Sequence, residues 1–176
     1  MLNRQEANNM KPLYSKSYKM VWPEAGPLKD GLSRSCNFDK MSQFYPGQVF
    51  LAKRAENHSN RFGVLATKPI FHFCDNAVDT LLWFWEVFDC LDDDKPVVNF
   101  LEIKPMGRIY KNQAPDETQL WQCGVNQFKV MRKVDIKRVA QDACKEIERS
   151  YQEITARYPH YDMIEYIQKI KRQAQK

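Results

Sequence analysis

The sequence predicts one small α+β domain: a mostly antiparallel sheet, one central helix and a helical hairpin at the C-terminal end. Three observations predict it. Short apolar or alternating runs recur between residues 14 and 134, separated by Gly, Pro, Asp and Asn. Within them, Lys68 to Trp85 (KPIFHFCDNAVDTLLWFW) passes from a strand-like run through an Asp-Asn stop into a strongly apolar helix. From Ile136 onward the apolar residues recur at spacings of three and four, the period of a helix face.

The elements follow in order. Residues 14–22 (YSKSYKMVW) alternate as a strand, and PEAGPLKDG after them reads as a loop. Residues 44–52 read as a turn feeding a strand. Pro46 and Gly47 suit the central positions of a type II turn, where glycine takes positive φ without steric cost. Residues 53–61 form a polar loop and 62–66 a further short strand. Residues 69–74 form the next strand. Asp75 or Asn76 caps a helix over 77–90 that buries Leu81, Leu82, Trp85 and Phe88. Asp92, Asp93 and Asp94 open an acidic loop. Residues 97–103 form a strand that 107–110 extend, 113–117 form a loop, and 119–134 hold one or two strands. Asp135 caps a helix over 136–158 with Ile136, Val139, Ala143, Ile147, Tyr151 or Ser150, Ile154 and Tyr158 in one stripe. Pro159 ends it. Met163, Ile167, Ile170 and Ala174 mark a shorter second helix. The chain thus divides into an extension at 1–43 packing on the core, an α+β core at 44–134, and the hairpin at 135–176, within a single domain overall.

Composition narrows the function classes. Of 176 residues, 43% are hydrophobic and 12% aromatic, enough for one core and contrary to global disorder. No apolar run approaches the roughly 20 residues of a membrane span, so no membrane partner is expected. The first residues, MLNRQEANNMK, lack the apolar stretch of a signal peptide, which predicts a cytoplasmic protein. Cys36, Cys74, Cys90, Cys123 and Cys144 form no CxxC pair and read as reduced thiols. His58, His72 and His160 show no ligand pairing, so no metal is expected. The net charge of +5 is uneven: +6 over residues 1–73, −6 over 74–104, +3 over 105–133 and +2 beyond. Such a dipolar chain suits an acidic partner at one end.

Candidate chemistry centres on His72 and Cys74. Two positions apart in a strand, they share a face of the sheet, while Phe71 and Phe73 take the other. The readings are a thiolate–imidazolium pair, a pocket-lining histidine, or a histidine satisfied within the core. The acidic triplet at 92–94 lacks the alternation and glycine of a calcium loop and reads as a solvated turn. Arg54 and Arg61 flank His58 in a polar loop able to meet phosphates. No Walker A, GxGxxG, GxSxG or HExxH motif occurs.

Residues 44–112 resemble a family of small phage- and prophage-encoded proteins. In these a turn-strand precedes a G-F-H-F-C strand, then a short helix ending in aromatics and a V-x-x-x-G-x-I strand. The matching residues are Tyr45-Pro46-Gly47-Gln48-Val49-Phe50, Ile70-Phe71-His72-Phe73-Cys74-Asp75-Asn76 and Phe100 to Ile109, with Ile70 where the pattern has glycine. The arrangement is also distantly similar to ADP-ribosyltransferases. That resemblance implies NAD as cofactor, His72 in place of the aromatic that stacks on nicotinamide, and Glu102 as the candidate catalytic glutamate. Upstream, the His-Gly or Arg strand of the transferases is missing.

The candidate sites are therefore His72 and Glu102 for catalysis, and Tyr45, Arg61, His72 and Trp83 for ligand binding. Ile136, Val139, Ile147, Tyr151 and Ile154 are the candidates for docking a protein partner or a second copy through the C-terminal helices. The leading expectation is a phage-type accessory protein that binds a macromolecule without catalysis. The alternatives are an ADP-ribosyltransferase-like NAD-binding protein, active or degenerate, and a nucleic-acid-binding protein using the basic N-terminal third with Tyr14, Tyr18 and Trp22.

Overall fold

In the computed structural model, which describes residues 16–21, 45–51, 71–88, 99–111, 121 and 123–176, five strands form one sheet and three helices cover part of it. The strands are β1 (Ser17–Val21), β2 (Val49–Leu51), β3 (Phe71–Phe73), β4 (Asn99–Lys111) and β5 (Cys123–Val134). The helices are α1 (Ala77–Phe88), α2 (Ile136–Arg157) and α3 (Met163–Gln175). The α+β class, the antiparallel sheet, the central helix and the C-terminal helical pair are as the sequence predicts. The expected strand at 62–66, the loops at 53–61, 92–96 and 113–117, and Arg61 lie outside the described residues.

Every strand pairing is antiparallel, and β4 and β5 form the long central ladder. On its far side β4 holds β1, while β5 holds β3 along residues 123–125 and β2 along 127–129. The sheet then turns on itself. Tyr18 donates to the Cys74 carbonyl at 2.8 Å and Cys74 to the Tyr18 carbonyl at 2.9 Å, joining β1 to the end of β3. The path β1–β4–β5–β3 is thereby closed.

Closure gives the strands an inner and an outer face. The inner face is filled by Phe71, Phe73, Leu101, Ile103, Cys123, Val125, Phe128 and Val130, with Phe50 against them. Phe128 stacks on Phe50 at 5.3 Å and meets Phe71 edge-on at 4.9 Å. Lys19, opposite Leu101, is buried here, its ammonium 5.7 Å from the Phe71 ring centre. The outer face on the other side of the same strands presents Tyr18 and Phe100 to the helices. Ala77, Val78, Leu81, Leu82 and Trp85 of α1, with the apolar faces of α2 and α3, complete that second core.

Local signals account for the element ends. Asn76 accepts the Asp79 amide on its side chain at 2.7 Å and so caps α1. Asp135 does the same for α2 through the Arg138 amide at 2.8 Å. Gly47, with φ of 89°, sits in the turn closed by the Gln48 amide on the Tyr45 carbonyl, and its own amide pins the turn to Val130.

The structure sharpens four sequence readings. The expected strand and its extension at 107–110 lie in one continuous strand, β4, from Asn99 to Lys111. Gly107, with φ of 88°, and a register shift between Met106 and Ile109 let β4 continue past the irregularity. Of the one or two strands expected over 119–134, the described residues 123–134 form one, β5. The strand expected over 14–22 is present as β1 at Ser17–Val21, where it pairs with β4 as part of the sheet. The α2 stripe runs through Ser150, which is buried, whereas Tyr151 is 49% exposed. Ser150 has non-helical dihedrals and kinks the helix, turning the following residues by part of a turn.

Candidate functional site

The junction of β3 and α1 is built from residues far apart in the chain. The first amides of α1 have no partners within their own helix. Glu146 of α2 supplies them: its two carboxylate oxygens accept from Ala77 and Val78 at 2.9–3.0 Å. Beside it, Asp79 is buried and accepts from Asn76 at 2.7 Å, from Arg157 at 2.6 Å and from the Tyr158 hydroxyl. Arg157 also lies over the Trp121 ring at 5.0 Å, and the Trp121 carbonyl accepts the Trp83 indole N–H at 2.9 Å. A third carboxylate, Asp142, ties α2 to the sheet by accepting from Lys16 at 2.8 Å and from the Tyr18 hydroxyl at 2.7 Å.

Burial dominates the electrostatics of this junction. It pushes Asp79 up to about 6, against the lowering effect of Arg157 and Tyr158. Burial likewise pushes Glu146 up to about 8, against the lowering effect of the two amides. A folded-state pKa above the unfolded one means that the native state holds the extra proton. The associated stability is complete below the unfolded pKa and is lost as pH rises through the folded one. Thermal stability is therefore expected to fall as pH rises from about 4.5 to about 8 through Glu146. Melting curves of Glu146→Gln across that range should be flatter than those of the wild type; an unchanged slope would contradict the assignment.

These groups serve the fold and leave little chemistry for Cys74. Its thiol is buried, directed to the Trp121 carbonyl at 3.9 Å, and burial holds it well above the ordinary thiol range. It is a protonated packing group, not the thiolate of a nucleophilic pair. The backbone of His72 stands opposite Gly124 in β3. Glu102 accepts from Arg132 at 2.6 Å, directly across the ladder. Trp83 is half-buried and engaged with Trp121. Tyr45 is 62% exposed in the turn fastened to Val130, six positions along β5 from Gly124. At about 3.3 Å per residue, that sets Tyr45 and His72 on the order of 20 Å apart along the strand. Tyr45 and His72, two of the residues expected to line one ligand site, are thus far apart along the sheet.

The docking stripe is corrected as well. Val139, Ile147 and Ile154 are buried in the protein's own helical core, and Ile136 packs against it. Of the five expected docking residues only Tyr151 is substantially exposed.

An outward-facing surface that the sequence reading passed over lies on β2, β4 and β5. Residues directly opposite in an antiparallel ladder share a face. One row is Lys104, Lys129 and Val49; the next is Met106, Gln127 and Leu51. The alternate positions, Ile103, Phe128, Val130 and Phe50, point into the closed interior, so these two rows point out. Val49 and Leu51 are 45% and 57% exposed. Beyond the Gly107 irregularity, Arg108 lies over the Tyr110 ring at 5.2 Å. β4 and β5 together carry six Lys or Arg and one acid, Glu102, which Arg132 already neutralises. The signal was present as period-two spacing of Lys104 with Met106 and of Gln127 with Lys129, but it has no meaning until the register is known.

Among the described residues no group of three or more His, Cys, Asp or Glu side chains is arranged to hold a metal ion, and no helix is long and apolar enough to cross a membrane. The architecture defines an α+β protein with a closed, mostly short-stranded sheet. Comparison with protein-family models, curated proteins and solved structures finds no match to the chain.

Proposed function

We propose that this chain is a small accessory protein of phage or prophage type, acting in the cytoplasm, that binds an acidic macromolecule without catalysis. The observation that carries the reading is the outward pair of Lys104 and Lys129. They stand directly opposite one another, and neither makes an ion pair with a described residue. Like charges placed directly opposite on a sheet destabilise it, and an anionic partner relieves that repulsion. The engagement of Cys74 with Trp121 and of Glu102 with Arg132 supports binding over turnover.

Retention on heparin, a polyanion, tests the reading. The wild type should elute at higher salt than Lys104→Glu/Lys129→Glu, with both proteins equally folded by circular dichroism. Co-elution of the two would remove this face from the function. Thermal stabilisation by millimolar NAD that His72→Ala abolishes would favour the transferase-like alternative instead.

A further inference from the structure

Resting on the reading of an acidic partner, we infer that the partner is single-stranded nucleic acid, laid across the outer face of β4 and β5 with its backbone on Lys104 and Lys129. Two features distinguish this surface from a merely basic one. The cations are held on the ladder at adjacent positions, with Cβ atoms about 5 Å apart. Two long, flexible lysine side chains rising from such neighbouring positions can reach adjacent phosphates of one strand. Past the irregularity after Met106, Tyr110 stands opposite Gly124, between the inward-facing Cys123 and Val125, and the guanidinium of Arg108 lies over its ring. An arginine beside an aromatic ring offers flat cationic and π surfaces on which bases stack in any sequence. An acidic peptide satisfies the lysines but has no flat group for that plate. Met106, Val49 and Leu51 add apolar contact beside the lysines, which suits exposed bases better than the paired, backbone-lined exterior of a duplex.

Gly107 is the structural device that makes this possible. Its φ of 88° permits the irregularity after Met106, and an added Cβ would stand 3.1 Å from the Asn126 side-chain oxygen. The chain then re-enters the ladder with Tyr110 opposite Gly124.

The test is fluorescence anisotropy with a labelled single-stranded DNA of about a dozen nucleotides, within the length one such surface spans. Unlabelled duplex of the same sequence and polyglutamate serve as competitors. The expected result is binding to the single strand that exceeds both competitors. In Lys104→Gln/Lys129→Gln the slope of log affinity against log salt should fall by about 1.4, at ~0.7 per phosphate contact. Tyr110→Ala should lose about tenfold in affinity at unchanged salt slope. Because Tyr110 is half-buried, Arg108→Gln, at an exposed position, provides the second test of the plate and should lose affinity as well. Polyglutamate or duplex binding as tightly as the single strand would overturn this inference while leaving the acidic-partner reading intact. No binding to any polyanion at low salt would overturn both. Binding that the double lysine variant leaves unchanged in affinity and slope would overturn this site.

Discussion

Asp79→Ala is expected to destabilise the protein by about 3–5 kcal/mol, the range for removing one partner of a buried ion pair. The carboxylate it removes is the acceptor for Asn76, Arg157 and Tyr158 together. Without it, a guanidinium 26% exposed and a buried tyrosine hydroxyl lose their acceptor in the core that joins α1 to the end of α2. At ~2–4 °C per kcal/mol for a chain of this size, melting should fall by at least about 6 °C. The elevated pKa is compatible with this. Burial makes the ionised carboxylate costly, yet at neutral pH it remains ionised against about 6, and its partners are built around it. Asp79→Asn keeps an acceptor oxygen in place and should lose less. A loss below about 1 kcal/mol for Asp79→Ala would mean that the network is incidental to packing.

Phe128→Ala is expected to cost a further class of stability, about 3–5 kcal/mol from lost burial and the cavity left behind. Phe128 is fully buried at the centre of the closed sheet, against Phe50 and Phe71 from two other strands. Its loss therefore affects the contact of β2, β3 and β5 at once. The neighbouring outer position supplies the contrast. Leu51, 57% exposed, should tolerate alanine within about 0.5 kcal/mol. Chemical denaturation of the two variants reads the difference directly. Equal costs would contradict the assignment of inner and outer faces.

Local elements were legible in the sequence because their causes are local. Pro46-Gly47 marks its own turn, Asn76 and Asp135 cap the helices that begin beside them, and the three-four spacing from Val139 to Ile170 follows helices that bury one side. Ser150 shows the limit of that reasoning. An ideal helical period does not choose between Ser150 and Tyr151; the non-helical dihedrals of Ser150, which bring Ser150 into the buried stripe, do. The extension of β4 at 107–110 was legible, but its unbroken passage through Pro105 and Gly107 was not, since both residues ordinarily end strands.

The site was less legible still. Asp79 and Arg157 are 78 residues apart and Lys16 and Asp142 are 126 apart, separations across which no periodicity runs. His72 and Cys74 drew the eye because an imidazole and a thiol are chemically conspicuous. In the fold the Cys74 thiol is buried and directed to the Trp121 carbonyl. Lys104 and Lys129 are ordinary residues in sequence, and only the register of two strands brings them side by side.

The most direct test of the account is amide chemical-shift mapping of the wild-type protein on addition of the single-stranded DNA. The shifts are predicted to concentrate on residues 104–110 and 127–129, along the outer rows of β4 and β5. Shifts concentrated instead on residues 71–85 and Trp121 would place the ligand at the strand–helix junction and contradict the account.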